Sequence, residues 1–226
     1  MQINLTVDQG LSKAITWTKA VEKQLPFATK NAVNEVAFKA RTSLNLGTKG
    51  AFHVPVRFTQ TAFFVQKAKD KRNVIAFVFA QDQDGRDRAR YLRFGVKGGS
   101  RPRKGFELHL LNKVLNDGTI PAGAYFIPTS LVKTNAAGNV TTATLRKITA
   151  GVDKGQFFAR TPRGGRRSPG IYRRSREQLF PYFIATTDQP DYKARFDIES
   201  IGTKAIQRNF AKDFNEALRF ALRTAR

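Results

Sequence analysis

The stretch DIESIGTKAIQRNFAKDFNEALRFALRTAR, residues 197–226, decides the fold of this chain. Its apolar residues recur at three- and four-residue steps, and this spacing predicts one long amphipathic helix. Asp197 is a candidate N-cap, and Glu199 falls in the first turn, where a negative charge is favourable. The apolar stripe comprises Ile201, Ala205, Phe210, Phe214, Ala217, Leu218, Ala221 and Ala225. We expect Phe210, Phe214 and Leu218 to supply packing contacts, either within the subunit or between subunits, because a stripe of this size needs a second surface to cover it.

The N-terminal part is expected to form a helical hairpin over residues 8–46. Residues 3–7 alternate between apolar and polar, which predicts a short strand ahead of it. Asp8 begins the first helix, and Pro26 breaks it because proline cannot continue the helical hydrogen-bond ladder. An alanine-rich second helix follows and stops at Gly47, a residue type that favours helix ends.

The middle of the chain, residues 52–190, is expected to form an antiparallel sheet with basic loops. Strands are predicted at 74–80, 91–96, 156–160 and 179–187. Pro181 within the last strand indicates a sheet edge or a β-bulge. Residues 106–131 are expected to be irregular with short strands, and 134–144 to be an exposed excursion. The fold class is therefore α+β, a single domain over residues 1–226 in which the C-terminal helix, 197–226, packs on the sheet.

The charge of the chain indicates an anionic partner. The formal net charge is +23 and the sequence pI is about 10.9. Nucleic acid, an acidic protein surface and acidic lipid would all suit such an excess. There is no cysteine, which excludes disulfides and thiolate chemistry and fits a reducing cytoplasm. No signal peptide and no apolar run near the roughly 18 residues of a membrane span is visible, so we expect no membrane contact.

The residue types that carry catalysis are sparse. Asp82, Asp84 and Gly85 hint at a calcium loop, but its twelfth position, where a bidentate glutamate belongs, is Arg93. The two histidines, His53 and His109, lie far apart in sequence and have no neighbours at metal-ligand spacing. We therefore predict no catalytic residues, no metal, no cofactor and no enzymatic activity.

A nuclease motif is present only in part. The segments 170–172 (Gly-Ile-Tyr) and 182–184 (Tyr-Phe-Ile) loosely resemble the paired strands of GIY-YIG nucleases. In that family a glycine ends the second strand, whereas Ile184 stands there in this chain. Too little sequence follows for the rest of such a domain, so we do not expect nuclease activity.

Two basic loops are the candidate contacts for the anionic partner. A single arginine in a glycine-rich loop is commonly just solvated, but clustered arginines without acids suit phosphate and carboxylate groups. No base-reading motif accompanies them, so only phosphates would be contacted on DNA. The candidate residues are Arg101, Arg103, Lys104, Arg160, Arg163, Arg166, Arg167, Arg173, Arg174 and Arg176.

The order of these features resembles that of the minor tail protein Z group of tailed phages, and more loosely the tail-completion and head–tail joining proteins. The resemblance rests on Leu25-Pro26 before an alanine-rich helix, the basic glycine loop, the Gly170–Arg174 segment and the C-terminal phenylalanine-rich helix. It covers most of the chain apart from residues 106–149.

The resemblance implies a non-enzymatic component of the virion neck. Such a subunit forms a ring, six-fold by analogy, between the head connector and the tail, and it is assembled in the host cytoplasm. Its partners would be copies of itself, portal or adaptor and tail proteins, and DNA contacted without sequence preference. The alternative interpretation is a free nucleic-acid-binding protein that uses phosphate contacts only.

Overall fold

The computed structural model describes residues 8–81, 88–114, 119–161 and 168–225, with the backbone alone at 8–16 and 114. The predicted strand at 3–7 and the calcium-loop candidates at 82–85 lie outside these residues. In chain order the elements are α1 (Asp8–Ala51), α2 (Arg57–Gln60), β1 (Phe63–Gln66), β2 (Phe77–Ala80), α3 (Arg88–Lys97), β3 (Gly99–Ser100), α4 (Gly105–Val114), β4 (Tyr125–Pro128), α5 (Thr142–Asp153), β5 (Phe157–Arg160), β6 (Gly170–Ser175), β7 (Gln178–Thr186), β8 (Asp191–Tyr192) and α6 (Ile198–Thr224).

The predicted α+β class is confirmed, because long helices and antiparallel sheets share the chain. The chain divides into two compact units. Unit 1 comprises Met1–Val96 with Arg195–Arg226, and unit 2 comprises Lys97–Ala194. The single-domain boundary at 1–226 stays a prediction.

The predicted N-terminal hairpin is wrong, because α1 is one helix of 44 residues with Pro26 inside it. The proline removes one ladder bond, which would run to the carbonyl of Glu22. Both residues are exposed, so water can satisfy that carbonyl. Gly47 does not end the helix either. Its missing side chain makes room for α6, since a Cβ there would lie 2.9 Å from the Ile201 Cδ1 atom.

The predicted C-terminal helix is confirmed as α6, and the Asp197 carboxylate accepts a hydrogen bond from the Ser200 N–H at 2.9 Å. Its long seam is formed with α1, and Ile201 in its first turn packs in the core that contains the sheet β1–β2, so the predicted packing of this helix on the sheet is confirmed. The two helices are antiparallel, because Gly47 lies beside Ile201 while Lys39 pairs with Asp213. Small residues dominate the buried faces and let the backbones approach: Ala28, Ala32 and Ala40 on α1, and Ala205 and Ala221 on α6.

The small sheet of unit 1 pairs β1 with β2 and packs on the C-terminal part of α1. Phe196 is the centre of this core, with its ring edge-on to Phe52 at 5.8 Å and to Phe63 at 5.9 Å. The strand predicted at 74–80 is shorter than expected, and it is not buried on both faces, since Phe77 and Phe79 are exposed.

The strand predicted at 91–96 is wrong, because this segment belongs to the helix α3. Leu92 and Val96 lie one turn apart, so a helix places both against the core formed around Phe196. Gly95 lies on the same side, where a Cβ would come within 2.4 Å of the Phe52 ring. Burial of Leu92 and Val96, which are four residues apart, outweighs the strand preference of the aromatic and β-branched residues in this segment.

Unit 2 is built on a four-stranded antiparallel sheet with the order β4-β7-β6-β5. The strand at 156–160 is confirmed as β5. Helices α4 and α5 contribute Leu110 and Ile148 to the core on one sheet face, with Ile171 and Phe183 from the central strands. Residues 106–131 were expected to be irregular; a short strand is present there, but α4 was missed.

Pro181 lies in β7, which is a central strand, so the predicted sheet edge is wrong. The predicted bulge is confirmed. Ile171 pairs with Phe183 whereas the next residue, Tyr172, pairs with Pro181, which leaves Tyr182 as the extra residue. The carbonyl of Pro181 is still satisfied, because it accepts a hydrogen bond from the Thr129 hydroxyl at 2.7 Å.

Candidate interfaces for an anionic partner

The basic loop ahead of α4 is organised around a buried carboxylate, Glu107, whose residue is 0% exposed. Arg101 forms a two-pronged ion pair with it, with Nη1 to Oε2 at 2.8 Å and Nη2 to Oε1 at 2.9 Å. The backbone N–H of Lys104 also donates to Oε2. Lys104 directly precedes the first residue of α4 and Glu107 is the third residue of that helix, so this contact is one half of a capping box. One internal negative charge therefore holds the loop in place.

The electrostatics of this pair follow from its contacts. Burial by itself raises the pKa of the Glu107 carboxyl, but the Arg101 guanidinium and the backbone N–H groups of Lys104 and Phe126 outweigh it. The net result is a pKa below the ordinary value of 4.5. The hydrogen bond to Glu107 raises the pKa of Arg101 above its ordinary value, so both groups are charged at neutral pH.

Two of the three predicted partner contacts in this loop are thus already engaged inside the protein. Arg101 is bound to Glu107, and its guanidinium carbon Cζ lies 5.5 Å from the centre of the Tyr125 ring. Arg103 donates from Nε to the Gly123 carbonyl at 3.0 Å and also lies over Tyr125. Lys104 is exposed and remains available to a partner.

The second predicted cluster lies on the sheet of unit 2. Arg160 ends β5, Arg173 and Arg174 lie on β6, and Arg176 occupies the turn to β7 with a φ of 54°. The other three arginines of this cluster, at 163, 166 and 167, lie outside the described residues. Within the described part of the chain, none of the four placed arginines forms an ion pair with an acidic side chain.

These arginines do not form one flat patch. Successive residues of a strand face opposite sides of a sheet, so Arg173 and Arg174 point to different faces. The guanidinium of Arg173 lies over the Phe157 ring at 5.9 Å, and that of Arg174 over the Phe158 ring at 5.8 Å. Together with Arg176 they give a hairpin end with positive charge on both faces.

The structure also shows a basic surface that the sequence reasoning missed, on α1 and the segment 67–72 of unit 1. Phe27 and Phe38 lie on one face of α1, and each ring has two cationic side chains over it. The run Lys-Ala-Lys-Asp-Lys-Arg at 67–72 was a visible signal of positive charge. Its position against α1 was not readable from the sequence, because the contact joins residues more than 25 positions apart.

The α6 residues singled out from the sequence fall into two environments. Phe214 and Leu218 are half-buried, whereas Phe210 is exposed and stacks on Phe214 with the ring centres 6.0 Å apart. Asp213, which was not part of the predicted stripe, is buried instead and pairs with Lys39 of α1.

The tyrosine of the nuclease-like segment 170–172 is hydrogen-bonded inside the protein. Tyr172 is buried, and its hydroxyl donates to the Ser168 carbonyl at 2.7 Å. Across the described ranges, no three His, Asp or Glu side chains come together as a candidate metal site. Likewise, no described helix combines the length and the apolar character that crossing a membrane requires.

Comparison with known protein families, with curated proteins and with solved structures found no match.

Proposed function

We propose that this protein is a structural component of a tailed-phage virion, a neck or tail-completion subunit that forms a ring between the head connector and the tail. The proposal combines the resemblance in the sequence with one structural observation, an apolar ridge on α6 that the subunit does not fully cover. Cofactors and catalytic chemistry have no part in it.

The ridge is a row of large apolar residues four positions apart, which runs along α6 beside its seam with α1. Two members are clearly open to solvent, Ile206 at 48% and Phe210 at 38%. The remaining members are half-buried: Phe214, Leu218 and Leu222. Rows at this spacing form the ridges that pack into the grooves of a neighbouring helix. A second copy of this chain in a ring would supply such a helix.

The charge of the subunit supports assembly on a template. Copies that each carry a formal charge of +23 repel one another at low salt, so the ridge alone has to overcome that repulsion. An acidic portal or adaptor ring would remove it. The end of the β6–β7 hairpin, where Arg173 and Arg174 lie on opposite faces and Arg176 in the turn, is the exposed basic feature that would contact such a surface.

The test is a measurement of mass by light scattering, with negative-stain imaging, on the protein alone and with the portal, adaptor and tail proteins encoded beside it. We expect rings on the template, and serine at Phe210 together with Ile206 should abolish them. Leu46→Ser is the matched control, because Leu46 is also exposed but lies on α1. A chain that remains monomeric in every mixture would refute the proposal, as would rings that survive the ridge substitutions.

A further inference from the structure

We infer that one face of α1, together with the segment 67–72, is a binding surface for the phosphate backbone of duplex nucleic acid. We call this surface the basic stripe. Its members on α1 recur at helical spacing and so share one face. The basic stripe comprises Phe27, Lys30, Asn34, Phe38 and Arg41 of α1, with Lys67, Ala68, Lys69, Lys71 and Arg72. The inference is independent of the ring proposed above and concerns a different unit from the β6–β7 hairpin.

The segment is fixed to α1 at two points by one side chain. The Ala68 N–H donates to the Asn34 Oδ1 atom at 2.7 Å, and the Asn34 Nδ2 group donates to the Ala68 carbonyl at 3.3 Å. Ala68 itself is buried. The Asn34 side-chain amide thus makes the two backbone hydrogen bonds with Ala68 that a neighbouring strand would otherwise make. Lys67 and Lys69, on either side of Ala68, are therefore held beside the helix.

Each end of the stripe has one aromatic ring with two cations close to it. Over Phe27 lie Lys30, with its Nζ atom 5.9 Å from the ring centre, and Lys71 at 5.5 Å.

Over Phe38 lie Arg41 and Lys67, both at 5.1 Å. From Phe27 to Phe38 the helix rises about 16 Å, so the two pairs of cations lie about that far apart along one straight line.

The charges of the stripe are not neutralised within the subunit. Among the described residues, none of its six cations forms an ion pair with a carboxylate. The nearest acids in sequence are Glu35 and Asp70, both exposed, and Asp70 is occupied in accepting the N–H of Arg72 at 2.8 Å. A surface that keeps six cations against two acids attracts an anion.

A nucleic-acid backbone fits this surface better than an acidic protein does. A duplex is a stiff rod with one negative charge per roughly 1.7 Å of axis, so phosphates continue along the full length of a straight row. Tight protein partners instead rely on large side chains that fill pockets at the interface centre. The two rings of the stripe are partly covered by their cations and do not offer such anchors. Exposed cation–aromatic contacts are weak, so a phosphate can recruit these cations without disturbing the fold.

The test measures the affinity of the full chain for a 30-base-pair duplex of arbitrary sequence by fluorescence anisotropy, between 50 and 200 mM salt. Neutralising Z phosphate contacts gives a slope of about −0.9Z in log K against log salt. Glutamine at Lys30, Arg41, Lys67 and Lys71 should therefore make the slope shallower by about 3.6. Between the two salt concentrations, the unchanged protein should lose about 150-fold more affinity than this variant.

A matched variant controls for charge alone. It places glutamine at four exposed cations of unit 2, Lys133, Arg146, Lys147 and Lys154. Like the stripe variant, it therefore removes three lysines and one arginine. This control should leave the slope within about one unit of the original. A third variant, with arginine at Lys30, Lys67 and Lys71, retains the charge and should retain both slope and affinity.

Two results would overturn the inference. The first is a slope that the stripe variant shares with the unchanged protein, and the second is an equal change in the control variant. If the first result is accompanied by lost binding to an acidic portal or adaptor ring, the stripe is assigned to a protein partner. Circular dichroism and thermal unfolding verify that each variant is folded. Because the assay needs no ring, its failure is distinct from failure of the proposed assembly role.

Discussion

Replacing Glu107 with glutamine should strongly destabilise unit 2. The carboxylate accepts both prongs of Arg101 and the Lys104 N–H, and it is fully buried. A glutamine offers one oxygen, and its NH₂ group faces donors. The Arg101 side chain, which is 14% exposed, then keeps a charge without a counter-charge. Breaking such a pair from one side costs about 3–5 kcal/mol.

Amide hydrogen exchange on α4 is the appropriate measurement, because it reports on this helix separately from the rest of the chain. A loss of about 3 kcal/mol corresponds to exchange on the order of 100-fold faster. Amides of α6, which belongs to unit 1, serve as the internal reference.

A double-mutant cycle separates the loss of the pair from the loss of packing. Arg101→Met combined with Glu107→Leu removes both charges and should cost less than either single change, since no unpaired charge stays buried. Equal protection of α4 in Glu107→Gln and in the unchanged protein would refute the reasoning. So would a double variant whose cost is the sum of the two single costs.

The pH dependence follows from the lowered pKa of Glu107. A carboxyl whose pKa is lower in the folded state contributes stability above its unfolded pKa, near 4.5, and that contribution is lost as the pH falls through the folded pKa. Protection of α4 should therefore decrease on acidification from about pH 5 downwards. The glutamine variant should lack this part of the acid response.

Two further predictions concern single charged residues. Lys39→Met should lower the free energy of unfolding by about 1–3 kcal/mol in a thermal or urea titration, because the buried Asp213 carboxylate loses its partner. Lys39→Met with Asp213→Leu should cost less, because it leaves no unpaired carboxylate. Equal costs for the two variants would contradict a role for the unpaired Asp213 carboxylate. Arg176→Gly should raise stability by about 1 kcal/mol, since the φ of 54° strains a residue with a side chain. Glu177→Gly, the control in the same turn, should not stabilise.

The sequence predicted features that depend on one residue type or on a long regular spacing. The period of residues 197–226 gave α6 with its cap at Asp197, and Pro181 gave the bulge in β7. Misassignments arose where tertiary packing opposes local preference. Pro26 was interpreted as a break, yet α1 tolerates it, and residues 91–96 look like a strand until their core-facing spacing is known.

The candidate site was less predictable, because its chemistry depends on pairing. Nothing in the loop at 101–104 shows that Arg101 faces a buried carboxylate rather than solvent. In the basic stripe, by contrast, the fold brings together cations that lie far apart in the sequence. Lys30 and Lys71 are far apart in sequence, and only the fold brings both over Phe27. Charge counts predict the sign of a partner, whereas the fold decides which charges remain for it.

Because α1 and α6 pair antiparallel, the N-terminal part of α1 extends beyond the end of α6. Lys39 lies opposite Asp213, and counting outwards from that pair brings the end of α6 level with about residue 28 of α1. The helix before that point, about 30 Å long, has no stretch of α6 beside it. Pro26 stands just beyond the end of the pairing, where one missing hydrogen bond makes the rod less stiff. We therefore expect a sideways load on the N-terminal part of α1 to bend the helix near Pro26 before it separates the alanine-lined seam.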